Sequence, residues 1–469
     1  MSKDTQRPSA SETSGNRPSA QSTKAWGNRP SAQSTKTPAA PRAQNAHHRL
    51  HIERVALGGD GIARADGKVI FIPGALPDEQ VEAHITEDRA RFCRASLCHV
   101  LQASPLRRSP DCVHEQRDAC GGCGWRHVSD AHSLRLKTEA ALAELRKLSA
   151  TACPEPTLHP TPLDGTRIRA RLHLDGGKLG FYARSSQSIV DLERCPALHP
   201  KLLATTLRLK PELLRRKQSA SVLLELDGED RPFASLLPKD KALASILASA
   251  VESGLLAGFR MGSQQLGLPW VEESVDWPEP SSPVALGTLT RKLHFVHRAG
   301  DFWQSSRHAN QQLRLCLAQW LRKDQPKRVL DAYAGSGNLS FVAAREGALV
   351  VALDSAKSAR EAFEEGALRN QCAAHASFIA HDLSFNIDPA LLAKVDAVIL
   401  DPPREGARTI VDTLAEAQIP RIFYVSCNPA SLARDLGRLK HSYTLLELHA
   451  FDMFPRTPHL ELLAVIEKR

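Results

Sequence analysis

The last third of the chain repeats one pattern five times: a mostly apolar run ends on a polar residue and gives way to a helix-like stretch. The runs are RVLD ending at Asp331, LVVALD at Asp354, ASFIAHD at Asp382, VDAVILD at Asp401 and RIFYVSC at Cys427. Strands apolar on both faces that alternate with helices predict a parallel sheet between helical layers. In open sheets of this kind ligands bind outside the carboxyl ends of the strands. The five polar residues are therefore expected along one edge, and the chemistry with them.

The first turn narrows the ligand. After Asp331 comes Ala-Tyr333-Ala-Gly335-Ser-Gly337-Asn338, and Asp354 follows Asp331 by 23 residues, the spacing at which a Rossmann-like sheet offers an acid to a ribose. The turn has two glycines where a dinucleotide fingerprint has three, and no phosphate-binding Lys follows. A cofactor with a ribose and no pyrophosphate fits best, with S-adenosylmethionine the leading candidate. Another nucleotide and a purely structural turn are the alternatives. Asp382 is placed to meet an adenine.

Two residues set the reaction class. Enzymes that methylate exocyclic amines end the fourth-strand motif with an aromatic ring, whereas Asp401-Pro402-Pro403 is followed by Arg404. A Cys at the end of the next strand suits a base carbon that is not nucleophilic by itself, because thiolate addition to C6 of a pyrimidine turns C5 into an enolate carbon. Cys427 is the expected nucleophile, and Glu461, in DMFPRTPHLE, the base that later takes the C5 proton. Asp331 reads either as an organiser of the Gly loop or as a cofactor contact.

The chain has ten cysteines and no apolar signal-peptide core near residue 1, which predicts a cytoplasmic protein with reduced thiols. Cys112, Cys120 and Cys123 are spaced C-x7-C-x2-C, and Cys195 follows after 71 residues. Four thiolates suit a tetrahedral zinc or an iron–sulfur cluster, and spacing leaves the two open. Cys93, Cys98, Cys153, Cys316 and Cys372 read as packing thiols. The longest apolar stretch, 242–259, is interrupted by Ser and Glu and is shorter than the ~20 residues of a membrane span.

The net charge of +9 is concentrated: residues 1–49 hold eight Lys or Arg against two acids, and the rest of the chain is nearly balanced. Within that tail GNRPSAQSTK occurs twice, at 15–24 and 27–36, and its composition cannot bury a core. The tail is read as disordered, either a basic arm for RNA phosphates or a dispensable linker. From Leu50 to Leu101, β-prone runs alternate with turn signals at Gly58-Gly59-Asp60-Gly61, Asp66-Gly67 and Pro73-Gly74, which predicts a small OB-like barrel. VALGGDGIAR and VIFIPGALPDE there resemble the TRAM domain of RNA-modifying enzymes. A β-rich stretch from Thr166 to about Arg291 sets Arg167, Arg169 and Arg171 on one strand face, as an RNA-facing stripe or a solvated one.

With VSCNPASLARD around Cys427, DMFPRTPHLE around Glu461 and the DPPR motif, residues 50–469 resemble the TrmA/RumA family of RNA uracil-5-methyltransferases. The TRAM-like segment and the four cysteines make the chain most similar to members that act on 23S ribosomal RNA. On this resemblance the expected fold is α/β: a disordered tail over 1–48, a TRAM (OB-like) β-barrel over 49–104, a central β-rich domain over 105–290 and a Rossmann-like class I methyltransferase domain over 291–469. The resemblance implies S-adenosylmethionine contacts from Gln304, Tyr333, Asn338, Asp354, Asp382 and Asp401. It also implies a [4Fe-4S] cluster on Cys112, Cys120, Cys123 and Cys195. The implied substrate is a flipped uridine of 23S ribosomal RNA, methylated at C5 by a monomer with no membrane partner. Three positions depart from the family pattern: Ser306 stands for an expected Asn, Asp354 for the usual Glu, and Tyr333-Ala334 for an aromatic–Cys pair. The other readings are a transfer-RNA uracil-5-methyltransferase, an RNA cytosine-5-methyltransferase and a non-catalytic RNA-binding factor.

Overall fold

The computed structural model describes residues 47–149, 153–216, 219–278 and 292–469. The repetitive tail lies outside them, except that His47 and His48 already belong to the first strand. The described residues pack as one unit.

Among the described residues, β1 (His47–His51), β2 (Arg54–Val55), β3 (Gly61–Ala65), β4 (Lys68–Ile72), β5 (Gln80–Asp88) and β6 (Phe92–Gln102) form one sheet, ordered β1-β5-β6-β4-β3-β2. Every second residue, as in Ile70 and Ile72 or Val81 and Ala83, points into its core, and β1 packs back against β3. Helices α1 (Val113–Asp118) and α2 (Asp130–Ser149) follow, then the short strand β7 (Thr157–His159).

A second sheet is ordered β10-β9-β8-β11-β12-β13-β14. Its strands are β8 (Arg169–Asp175), β9 (Lys178–Tyr182), β10 (Ile189–Asp191), β11 (Ala220–Leu226), β12 (Pro232–Leu237), β13 (Gly258–Met261) and β14 (Gln264–Gly267), backed by α3 (Pro200–Leu214) and α4 (Lys241–Glu252). The predicted arginine stripe breaks up here. Arg167 precedes the strand, Arg169 pairs at 3.2 Å with the buried Glu225, and Arg171 is the exposed one of the three. A hairpin of β15 (Val271–Asp276) and β16 (Lys292–His297) then leads to α5 (Arg307–Asp324).

The remaining strands and α-helices are β17 (Arg328–Ala332), α6 (Ser340–Arg345), β18 (Leu349–Asp354), α7 (Lys357–Arg369), β19 (Ala376–Ala380), β20 (Ala397–Leu400), α8 (Arg408–Ala417), β21 (Arg421–Ser426), α9 (Pro429–Leu439), β22 (Tyr443–Phe451) and β23 (Glu461–Lys468). Their sheet has the order β19-β18-β17-β20-β21-β23-β22-β7, parallel through β21 and with β23 antiparallel between β21 and β22. The two-residue period of a strand sorts its side chains into two cores. Leu330, Val398, Leu400, Ile422 and Leu462 pack under α2, α8 and α9, while Val329, Ile399, Phe423, Val425 and Leu463 pack under α5, α6 and α7. This is the Rossmann-like sheet that the alternation predicts. The boundary drawn at residue 290 is crossed, however, because α2 and β7 come from the segment 105–290, α2 covering this sheet and β7 extending its edge beside β22. No helix of the described residues is long and apolar enough to cross a membrane.

Candidate active site

The strand order reverses between β17 and β20, the switch point at which a doubly wound sheet opens a crevice. Asp331 lies in β17, Asp354 closes β18, and Asp401 and Cys427 directly follow β20 and β21. Glu461 reaches the same edge from the opposite direction. The antiparallel ladder of β21 and β23 ends with Ser426 opposite Leu462, so the next pair in register is Cys427 and Glu461.

Burial pushes the Cys427 thiol up to about 11, with Glu461 and Asp401 adding to the rise and Arg404 opposing it. Burial likewise pushes Asp401 up to about 7. Glu461, 4% exposed, is raised by burial and then by the neighbouring Asp401. Each of these buried carboxyls opposes the ionisation of the other, because ionising both would put like charges together away from water.

The loops that carry these groups are bolted to each other. Asn428 caps α9 by accepting from the Ala430 N–H at 3.1 Å, and its Nδ2 donates to the Arg404 carbonyl at 2.8 Å. Arg434 on α9 donates to the Glu405 carbonyl at 2.7 Å, and the buried Asp435 carboxylate accepts from the Tyr424 hydroxyl at 2.7 Å and the Ala407 N–H at 2.9 Å. Gly406 sits at φ +82°, where a Cβ would lie 2.6 Å from that carboxylate. The Asp-Pro-Pro-Arg loop and the Cys427 loop therefore hold one geometry.

The crevice beside them matches a cofactor rich in hydroxyls. Asp354 accepts from the Gly335 N–H at 3.0 Å and the Ala356 N–H at 2.9 Å, one bond to each oxygen, so its remaining lone pairs sit at the mouth of the Gly loop. Asp331 is buried and accepts from the Ser340 hydroxyl, while its Oδ1 has no protein partner. Burial, then Asp401 and Asp354, push it up to about 7. Tyr333 enters the loop at φ +65°, and Gly337 at φ +95° has no room for a Cβ, which would meet the Phe341 ring at 2.6 Å. A buried acid with one unpartnered oxygen and a loop kept free of side-chain bulk suit a ligand with ribose hydroxyls.

The other predicted contacts are more dispersed. Asn338 turns its carboxamide to α5, accepting from Asn310 at 3.1 Å and Arg314 at 2.9 Å and donating back to Asn310 at 3.0 Å, which leaves one Nδ2 hydrogen. Gln304 is buried next to Trp303, whose indole stacks on His297 at 4.8 Å. Ser306, where the family has Asn, caps α5 by accepting from the Ala309 N–H. Asp382 is exposed beyond β19 and accepts from the Ser384 N–H at 2.9 Å. Asn310 and Arg314 lie in no motif, and Tyr424 and Asp435, although within RIFYVSC and VSCNPASLARD, are given no role by them. Each is an ordinary helix or strand residue whose partner is set by packing.

Cys112, Cys120, Cys123 and Cys195 line one cavity, together with Arg126, Arg167 and Arg194. Burial pushes the Cys120 thiol up to about 11, and Cys123, Cys195 and Cys112 each add to the rise, as sulfurs facing one centre must. A Cβ on Gly121 would lie 2.9 Å from the Tyr182 carbonyl oxygen, so the turn between the thiols needs glycine. The distant fourth thiol is brought in by His114, 1% exposed, whose ring bonds Asp118 at 2.9 Å and accepts from the Glu193 N–H at 3.2 Å. Four converging thiols among arginines fit a four-thiolate metal or cluster of negative net charge.

Family models match in three places: tRNA (Uracil-5-)-methyltransferase at residues 389–469, TRAM domain at 44–98 and Conserved hypothetical protein 95 at 291–421. A protein of Marinomonas sp. named 23S rRNA (uracil(1939)-C(5))-methyltransferase RlmD is 32% identical over 445 residues, covering 92% of this chain and 98% of its own. The chain belongs to the TrmA/RumA family of RNA uracil-5-methyltransferases. A Pseudomonas fluorescens protein of the same name is 35% identical over 438 residues, 89% of this chain and 94% of that one. The crystal structure of Pyrococcus abyssi tRNA (uracil-54, C5)-methyltransferase in complex with S-adenosyl-L-homocysteine shares the fold, with a TM-score of 0.67 over 89% of this chain and 100% of that one at 22% identity. As a member of the TrmA/RumA family, the chain is a S-adenosylmethionine-dependent RNA uracil-5-methyltransferase. The match at 389–469 includes both Cys427 and Glu461.

Proposed function

We propose that this enzyme methylates C5 of a uridine in 23S ribosomal RNA through a covalent adduct on Cys427, with Glu461 as the base. The observation that carries the proposal is the register of β21 on β23, which makes Cys427 and Glu461 the next opposed pair beside Asp401. The relatives' names support the ribosomal substrate, and the matched TRAM segment supports RNA binding.

The chemistry follows from the groups at the edge. The Cys427 sulfur bonds to C6 of the flipped uracil, and the C5–C6 π electrons move to form an enolate whose carbon is C5. When bound in the crevice, S-adenosylmethionine supplies the methyl group, with Asp354, Tyr333, Gln304, Asn338, Asp382 and Asp401 as its proposed contacts. Glu461 then takes the C5 proton, and the returning electrons expel the Cys427 thiolate. Raised by burial, the Glu461 carboxylate is a stronger base than a solvated one, and Arg404 is the cation beside the thiolate. Cys112, Cys120, Cys123 and Cys195 are proposed to hold a [4Fe-4S] cluster, which would fix the surrounding segments structurally.

Anaerobically purified protein, incubated with methyl-labelled S-adenosylmethionine and unmodified 23S, 16S or transfer RNA, tests this by mass spectrometry of the nucleosides. The expected product is 5-methyluridine in 23S RNA, absent with Cys427→Ala. Label in transfer RNA alone would replace the substrate, and 5-methylcytidine would replace the base.

A further inference from the structure

A closed circuit of opposite charges joins the cysteine segment to the loop that ends at Glu461. Arg108 bonds Asp111 at 2.9 Å and Asp130 at 2.6 Å, and Asp111 also accepts from Arg126 at 2.7 Å. Arg126 bonds Asp164, Arg456 approaches Asp164 at 3.6 Å, and Arg456 closes the circuit on Asp130. Asp111 precedes Cys112, Arg126 lies three residues after Cys123, and Arg456 lies five before Glu461. The Arg126 and Arg456 side chains are 0% and 4% exposed, so each guanidinium depends on its carboxylates for the solvation it has lost.

Other contacts pin the same loop. The Trp125 N–H donates to the Arg456 carbonyl at 3.0 Å. Trp125 also donates from its ring to the Gly59 carbonyl at 3.3 Å, and a Cβ on Gly59 would lie 2.8 Å from Pro458. Lys137, buried on α2, bonds Asp452 at 2.7 Å and the Phe454 carbonyl at 3.1 Å. Arg456 itself is held at φ +62°, which a non-glycine residue adopts at a cost and keeps only where its surroundings enforce it. The loop is thus shaped from outside, by Gly59, Trp125, Asp130, Lys137 and Asp164, and Trp125 and Arg126 link it to the segment that carries the first three cysteines.

We propose that Arg456 is a positioning residue for proton removal, and that the circuit makes the aim of Glu461 depend on an intact four-cysteine site. This rests on the assignment of Glu461 as the base. The consequence is specific to one step. The S–C6 bond breaks only after the C5 proton has left, so a misaimed Glu461 lets the methyl group transfer and then strands the methylated RNA on Cys427.

Arg456→Gln, Arg456→Lys and Glu461→Gln are compared with the wild type on a 23S RNA transcript, reading iron content, turnover, KM for RNA and adduct stable to denaturing gels. Arg456→Gln is expected to keep its iron and its KM, lose turnover by about 10- to 100-fold as misplaced catalytic groups do, and accumulate adduct as Glu461→Gln does. Arg456→Lys is expected to recover part of the turnover. Wild-type turnover in Arg456→Gln, or lost turnover without adduct while Glu461→Gln traps it, overturns the proposal. Should Arg456→Gln not fold, Asp164→Asn, at the more exposed side of the circuit, takes the same readouts. Independently of activity, chelating the iron is expected to speed hydrogen exchange of the 453–460 amides, and unchanged exchange overturns the link to the cysteines. If Glu461→Gln itself traps nothing, the base assignment fails, which is a different result from failure of the circuit.

Discussion

At the scale of single residues, the site gathers acids where their ionisation is opposed. Because burial, then Glu461 and Asp401, together raise the Cys427 thiol to about 11, removing one of those charges must lower it. Asp401→Asn is therefore expected to shift the pH dependence of Cys427 alkylation downward, read by mass spectrometry of the peptide; an unchanged or higher midpoint contradicts the electrostatic account. Asp331 makes a second case. Its carboxyl is raised from an ordinary 3.8 to about 7, so between those values the folded chain holds a proton that the unfolded chain has released. Stability from this group falls as pH rises through that window, by up to ~4 kcal/mol. Asp331→Asn, which still accepts from Ser340, is expected to stabilise the protein at pH 8 and to change little at pH 4, measured by chemical denaturation. The polar ends of the five apolar runs were legible from sequence as a group, since strand ends of one parallel sheet share an edge. Their protonation was not, because burial depends on what covers them.

Among elements, the decisive event is the entry of β23 between β21 and β22. The DMFPRTPHLE motif named Glu461 but gave no register, and register alone makes Cys427 and Glu461 an opposed pair. The loops on the two sides tolerate little change. Gly406→Ala would force φ +82° on a residue with a Cβ and drive that carbon onto Asp435, so a loss of about 1–3 kcal/mol is expected, with methyl transfer falling at least as far as the cofactor and thiol loops separate. Thermal denaturation and initial rates on the same preparation check both halves. The three-residue strand β7 escaped notice because a run so short has no periodicity to detect.

For the whole molecule, the apolar packing of α2 on the catalytic sheet is joined by polar contacts remote in sequence. Lys137 and Asp452, both buried, meet at 2.7 Å across 315 positions and tie α2 to the loop before Glu461. Lys137→Met leaves a buried carboxylate alone and is expected to cost about 3–5 kcal/mol, whereas adding Asp452→Leu is expected to restore much of it. Urea unfolding of the single and double variants measures the difference, and equal losses in both would contradict a paired charge.

By itself the amino-acid order determined the alternation of strands and helices, the Gly turn with its spaced acid, the thiol and carboxyl motifs, the TRAM-like turns and the four-cysteine set. Apart from Cys195, which stands 71 residues beyond Cys123, each of these is written in local period or short spacing, which backbone geometry converts directly into structure. Only the tertiary structure decided that α2 and β7 serve the catalytic sheet, that Asn338 faces α5, that Arg169 is paired with Glu225, and that Trp125, two residues after Cys123, and Asp130 on α2 hold Arg456 in the loop of Glu461. Those pairings join residues tens to hundreds of positions apart, and a charge has no sequence signature for its partner: which opposite charge it meets is settled when the apolar faces close and leave it no water.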